Sequence, residues 1–163
     1  RAPPNCKATM FLALDLGTTT GWCLADYEKT TKVISGFKKL VSYKSSIDRF
    51  PNFLTLLNEI YRVSEKKLSK IYYEKNMMSY KNVYANYIHG GFLAVLEVWT
   101  SEKGMPMVGM SCLQIRKEVF GKGNIPKVAI LPTIQEIHPH VSDHNEADAV
   151  ALALYVQKLH NNI

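Results

Sequence analysis

The chain has 163 residues, 47% of them hydrophobic and 21% charged, a globular mix that excludes global disorder and is long enough for one substantial core. Lys plus Arg is 20 against 14 Asp plus Glu, and the net charge of +6 favours a polyanionic partner. Cys6, Cys23 and Cys112 lie far apart with no CxxC pair, which excludes a disulfide framework or cysteine-rich zinc site and fits a reducing, cytoplasmic setting.

Residues 1–9 lack the apolar stretch of a signal peptide and read as a flexible tail or cloning remnant, leaving a single domain over 10–163. No apolar run is long enough to span a bilayer, so no membrane partner is expected. Residues 10–14 form a short apolar run ending at Asp15, followed by a turn-rich Leu16-Gly17-Thr18-Thr19-Thr20. Apolar strands resume over 21–25 and 32–37, and three short runs joined by tight turns predict a β-meander. Over 45–67, Phe50, Phe53, Leu54, Leu57, Ile60, Tyr61 and Val63 have helical spacing, with Pro51 suited to a first turn.

Ile71-Tyr72-Tyr73 predicts a fourth strand that ends at Glu74, and 75–81 predicts a loop. A helix is expected over 82–101, where Gly90-Gly91 allows close packing or a bend. Residues 106–110 predict a fifth strand, and Ser111 with Gln114 forms a capping-box pattern opening a helix to Phe120. After the 121–124 loop, Pro126 is suited to starting another helix that Pro132 should kink or restart. The last helix is expected over 145–160, packing through Ala147, Val150, Ala151, Leu154 and Val156. The order βββαβαβαα, without internal repeat or linker, points to an α/β fold around a mixed five-stranded sheet flanked by helices.

Three acids stand at the ends of apolar elements: Asp15, Glu74 and Asp148. Alone, each is as well read as a solvated turn or cap residue. Asp15 is different in kind, because a fully apolar strand delivers it where a core face meets solvent. Carboxylates converging from strand ends and a helix repel one another unless cations sit between them, and Mg²⁺ or Mn²⁺ suits such an all-oxygen set. With two ions, one activates an attacking water and the other stabilises the leaving oxygen of a phosphodiester. Asn145, three residues before Asp148 on the same helical face, is either the N-cap or a neutral ligand, and His144 reads as a surface histidine. Lys75 and Lys81 flank Met77, Met78 and Tyr80, while Arg116, Lys117, Lys122 and Lys127 surround the 121–124 loop. Grouped beside an acidic centre, these basic residues are what phosphate-backbone binding needs, and the aromatic and Met residues either press on bases or pack.

These segments resemble the RuvC-type Holliday-junction resolvases of the ribonuclease H-like superfamily. LALDLGTTTGW looks like the first strand–turn–strand with its metal-binding Asp15, and IYYEKNMM like the fourth-strand motif with Glu74. QIRKEVFGKGNIPK is similar to the basic helix and G-x-G loop, and NEADAVALA to the final helix with Asp148. The likeness runs from about Phe11 to the C-terminus in the same order. Where the family commonly has Asp or His this chain has Asn145, which leaves the fourth ligand between Asn145, Glu146 and Asp143. The resemblance implies a ribonuclease H-like fold and a homodimer that resolves four-way junctions by paired, metal-dependent nicks, leaving 5′-phosphate and 3′-hydroxyl ends. It implies two Mg²⁺ per site, with Mn²⁺ as substitute, and a wedge at the position of Met77. The compact, divergent motifs suggest a phage or mobile-element version. Asp-Leu-Gly-Thr-Thr-Thr also resembles the first phosphate loop of sugar kinases and actin-like ATPases, which need two such domains. A catalytically silent nucleic-acid-binding module is the third reading.

Overall fold

A computed structural model describes residues 10–28, 33–41, 47–65, 67–75 and 82–162. The tail over 1–9 and the segment holding Met77, Tyr80 and Lys81 lie outside the described residues. The elements are β1 (Met10–Asp15), β2 (Thr19–Asp26), β3 (Val33–Lys39), α1 (Arg49–Val63), β4 (Leu68–Lys75), α2 (Val83–Lys103), β5 (Met107–Ser111), α3 (Cys112–Phe120), α4 (Lys127–Ile137) and α5 (His144–Asn161). The five strands form one mixed sheet in the order β3-β2-β1-β4-β5. The expected meander is present, with β1–β2 and β2–β3 antiparallel, while β4 joins β1 and β5 joins β4 in parallel.

Central strand β1 reads as a continuous apolar run because both its faces are covered. Its side chains alternate between two cores. Phe11 and Ala13, with Cys23 and Ala25 of β2, pack against α5, Ile115 of α3, and Ile130 and Ile134 of α4. Leu12 and Leu14, with Leu24 and Ile71, pack against Phe53, Leu56, Leu57 and Ile60 of α1 and Phe92, Leu96 and Trp99 of α2. The spacing of the α1 set supplies the single apolar stripe of a helix covering a sheet. Helix α5 is different: Ala147, Ala149, Val150, Ala151, Leu152 and Ala153 are all buried, since the sheet covers one side and α3 and α4 the other.

Four local details depart from the sequence reading. First, α1 is shorter than 45–67, and β4 extends three residues before Ile71. Second, the helix expected from Pro126 is present as α4 and, counted as the third helix after β5, makes the order βββαβαβααα; it runs through Pro132 without the expected break. Pro132 is exposed, and the neighbouring Thr133 Oγ1 donates to the Ala129 carbonyl at 2.8 Å. Third, Ser111 occupies the N-cap of α3 but its side chain makes no cap bond. Fourth, the N-cap of α5 is Asp143 rather than Asn145: Asp143 Oδ1 accepts from the Asn145 amide at 2.7 Å and from the Glu146 amide at 3.4 Å. Asn145 therefore lies inside the first turn.

Gly21 fixes where α5 begins. It pairs with Asp15 across β1–β2, and a Cβ there would overlap the Asn145 carbonyl. Gly91 has the close approach anticipated from the sequence, against the Phe50 ring, whereas a Cβ on Gly90 would meet nothing within 4 Å. Gly21→Ala is expected to push the first turn of α5 off the sheet and destabilise by about 1–3 kcal/mol, a fall of about 2–4 °C in Tm per kcal/mol. Gly90→Ala should instead stabilise by about 0.5–1 kcal/mol through helix propensity. Thermal melts of the two variants check both signs.

Candidate active site

Strand alternation aims two acids at the same face. Asp15 follows Phe11 and Ala13 toward α5, and in β4 Glu74 follows Tyr72, which also packs on that side. The parallel register, Ala13 opposite Tyr72 and Leu14 opposite Tyr73, brings the ends of β1 and β4 alongside. Asp148 descends from the second turn of α5, whose start is held at Gly21 next to Asp15. All three carboxylates line one cleft of about 530 Å³, together with Asn145, Lys75, His89, Cys112, Arg116 and Lys127.

Electrostatics mark the cleft as frustrated. Burial pushes the Asp15 carboxyl well above the usual range, and the charges of Asp148 and Glu74 push it further. Asp148 is also raised, by burial and then by Glu74. Lys127, at the start of α4, opposes both shifts, and its Nζ stands 3.7 Å from Asp148 Oδ2. Cys112 opens α3, and burial followed by a hydrogen bond to Glu74 pushes its thiol up to about 12. His89 of α2 is buried, which lowers its pKa and favours the neutral ring.

Asn145 Nδ2 donates to Asp143 Oδ1 at 3.1 Å. The other two candidates for a fourth ligand have separate structural roles. Asp143 caps α5, and buried Glu146 accepts from Ser35 Oγ at 2.7 Å and from the Ser142 amide at 3.1 Å. Of the three, only Asn145 lines the cleft.

The donor chemistry fits hard divalent cations: three carboxylates and an amide in a cleft whose acids repel one another. Among the described residues, no three His, Cys, Asp or Glu side chains are grouped closely enough to hold a metal ion as they stand. To hold an ion Asp15, Glu74 and Asp148 would have to draw inward, and Lys127 would compete with it for Asp148.

Of the basic residues singled out from sequence, Lys75, Arg116 and Lys127 line the cleft, whereas Lys117 and Lys122 are exposed and do not line it. Met77, Tyr80 and Lys81 lie outside the described residues. Sequence reasoning missed His89 and Cys112. Cys112 lies two residues past the fifth predicted strand, a position that topology makes adjacent to Glu74, but no periodic pattern flags His89 within α2. No described helix is long and apolar enough to cross a membrane.

Comparison with solved structures identifies the fold. The chain is similar to RuvC of Thermus thermophilus, at 18% identity over 90% of this chain and 92% of that one, with a TM-score of 0.70. Against T. thermophilus RuvC in complex with a Holliday junction substrate the identity and coverage are the same and the TM-score is 0.73. The yeast mitochondrial Holliday junction resolvase Ydc2 is similar at 14% identity over 98% of this chain and 80% of that one, with a TM-score of 0.50. No protein-family model matches the chain, and no curated protein does. The fold is the ribonuclease H-like α/β fold in the form seen in RuvC.

The raised carboxyls carry a stability cost with a defined pH dependence. Asp15 and Asp148 keep their protons to higher pH in the folded than in the unfolded chain. The folded state thus binds more protons, and stability falls as pH rises from the ordinary carboxylate range through the raised values. Asp15→Asn removes part of that loss. In chelator-treated protein the variant should melt above wild type at neutral pH, and the two curves should converge as pH falls toward about 4. A variant melting at or below wild type at neutral pH would contradict this account.

Proposed function

We propose that this chain is a structure-selective DNA endonuclease that resolves four-way junctions, acting as a homodimer. The observation that carries the reading is the meeting of Asp15, Glu74 and Asp148, from three separate elements of a RuvC-like fold, in one cleft bordered by Lys75, Arg116 and Lys127. The solved RuvC complex contains a Holliday junction substrate, and the yeast neighbour is a Holliday junction resolvase. The basic net charge suits the same partner.

In this reading Asp15, Glu74 and Asp148 hold the metal, with the Asn145 amide oxygen as the fourth ligand. When bound, two Mg²⁺ ions, with Mn²⁺ as substitute, supply activation of the attacking water and stabilisation of the leaving oxygen. The chain's own residues do the rest. Lys75 and Arg116 flank the cleft and hold the oxygens of the phosphate to be cut, and Lys127, released from Asp148, turns to the same strand. Glu74 is steadied by the Cys112 thiol, which stays protonated and so acts as a donor rather than a nucleophile. Water adds to phosphorus, the bond to the 3′ oxygen breaks, and a 5′-phosphate and 3′-hydroxyl remain. Lys117 and Lys122 extend backbone contact beyond the cleft. Met77 or Tyr80 and Lys81, directly after β4, supply the wedge and further contact at the crossover.

Asp15→Asn and Glu74→Gln are expected to abolish metal-dependent nicking of a four-way junction while leaving junction affinity within a few-fold, because ligation needs the charge and affinity comes from basic contacts. Asn145→Asp should retain activity, while Asn145→Ala should raise the Mg²⁺ concentration needed without removing the helix cap, which is Asp143. Gel assays on junction and linear duplex across a Mg²⁺ titration test all three. Nicking retained by Asp15→Asn at wild-type protein levels would sink the assignment.

A further inference from the structure

A second pocket, of about 280 Å³, lies on the other side of Leu16 and His89, which form a wall common to it and the carboxylate cleft. Its remaining walls come from the β1–β2 turn at Gly17 and Thr18, from Arg49 at the start of α1, and from the first half of α2. Arg49 is the unusual member. It is only 8% exposed, its Nε is buried without a hydrogen-bond partner, and among the described residues no carboxylate pairs with it. A guanidinium cannot shed its proton, so burial normally brings an anion with it.

No acid lines this pocket. Nor does one answer the positive end of α1: its first turn has no acidic residue, and the N-cap Asp48 makes no side-chain cap bond. Thr18 is exposed at the mouth, with its hydroxyl available as a donor, while Ile88 and Phe92 make the inner wall apolar and strengthen any charge interaction within. A bare carboxylate would satisfy one edge of the fork. A tetrahedral oxyanion also reaches a hydroxyl placed off the guanidinium plane.

We propose that Arg49 and Thr18 form a phosphate-binding pocket, separate from the carboxylate cleft, that grips a backbone phosphodiester of the strand whose nearby phosphate lies at Asp15 and Glu74. The phosphate chemistry follows from the pocket alone. Its assignment to a nucleic-acid strand, rather than to free phosphate or a nucleotide, rests on the nuclease reading.

The test compares wild type with Arg49→Met and Thr18→Val. If Arg49 awaits an anion, Arg49→Met removes an unpaired buried charge at similar volume and leaves the Tm in chloride buffer unchanged or higher. Replacing chloride by sodium phosphate at equal ionic strength should raise the Tm of wild type, raise it less in Thr18→Val, and not raise it in Arg49→Met beyond the general salt effect. Junction binding by Arg49→Met, measured by anisotropy without divalent metal, should weaken about tenfold or more. Its log–log salt slope should shrink by about 0.9, one phosphate contact. An Arg49-dependent phosphate shift in a wild type that binds no DNA would keep the pocket and overturn the nuclease reading. Junction binding and metal-dependent cutting in wild type, with salt slope and phosphate shift unmoved by Arg49→Met, would overturn the pocket and keep the nuclease. A fall in the chloride Tm of Arg49→Met, with Thr18→Val indistinguishable from wild type in phosphate, would make Arg49 a structural residue and overturn the proposal.

Discussion

Two backbones meet where Gly21 faces the first turn of α5, and the geometry of the cleft depends on that contact. A side chain at position 21 would occupy the place of the Asn145 carbonyl. Further along, Ala13, Cys23 and Ala25 of the sheet share one core with the buried alanines of the helix, Ala147, Ala149, Ala151 and Ala153, and small residues on both elements let the helix lie close. The approach costs apolar area that larger side chains would have buried. What it secures is position: Asp148, one turn into α5, is held beside Asp15, the register partner of Gly21. Glu146, locked to Ser35 and Ser142, and Asp143, locked as the cap, pin the same turn from its other side.

The cleft so formed is not a stable arrangement of charge. Its acids are half-buried and like-charged, and among the described residues one cation, Lys127, makes the single ion pair within it. Such a group of carboxylates persists because the surrounding core over-determines it, with β1, β4 and α5 each anchored by residues that have nothing to do with the site. Stability given up at one place for a charge arrangement suited to binding is the usual relation between a fold and its active site. The neutral donor Cys112 and the neutral ring of His89 border the acids without adding charge.

How much of this was legible in the sequence follows from the range of the interactions. The apolar run before Asp15 and the short β-prone run before Glu74 are local signals, and they forecast both strands and the acids at their ends. The five-stranded mixed sheet follows from the same signals. Asn145 was open between cap and ligand because cap-forming residues occur twice in Asp143-His144-Asn145, and only backbone geometry decides which one closes the helix. The helix expected from Pro126 is α4, but the break expected at Pro132 does not occur, because the lost amide bond is tolerated on an exposed face. Lys117 and Lys122 looked equivalent to Arg116, yet which face of α3 meets the cleft depends on how that helix is rolled against α5, and Lys122 lies beyond its C-cap Gly121. Arg49 carried no signal at all, since one arginine after Asp48 at a helix start reads as solvated charge until the fold encloses it.

The end of β1 also explains why two pockets adjoin. Successive residues of a strand point to opposite faces, so Asp15 faces α5 while Leu16 joins the core under α1 and α2. The chain then turns through Gly17 and Thr18, with Thr20 Oγ1 donating to the Gly17 carbonyl at 2.8 Å and the Leu40 amide to the Thr18 carbonyl at 2.8 Å. These bonds hold the turn against the sheet rather than leaving it free to move. The turn lies between a carboxylate lining one cavity and a buried guanidinium lining the other. Leu16 and His89 stand as the wall common to the two cavities. On one side Lys127 pairs with Asp148, and on the other, among the described residues, no carboxylate pairs with Arg49. In the proposed reading, a polyanionic strand carried with metal ions across this edge of the sheet would answer both charges at once.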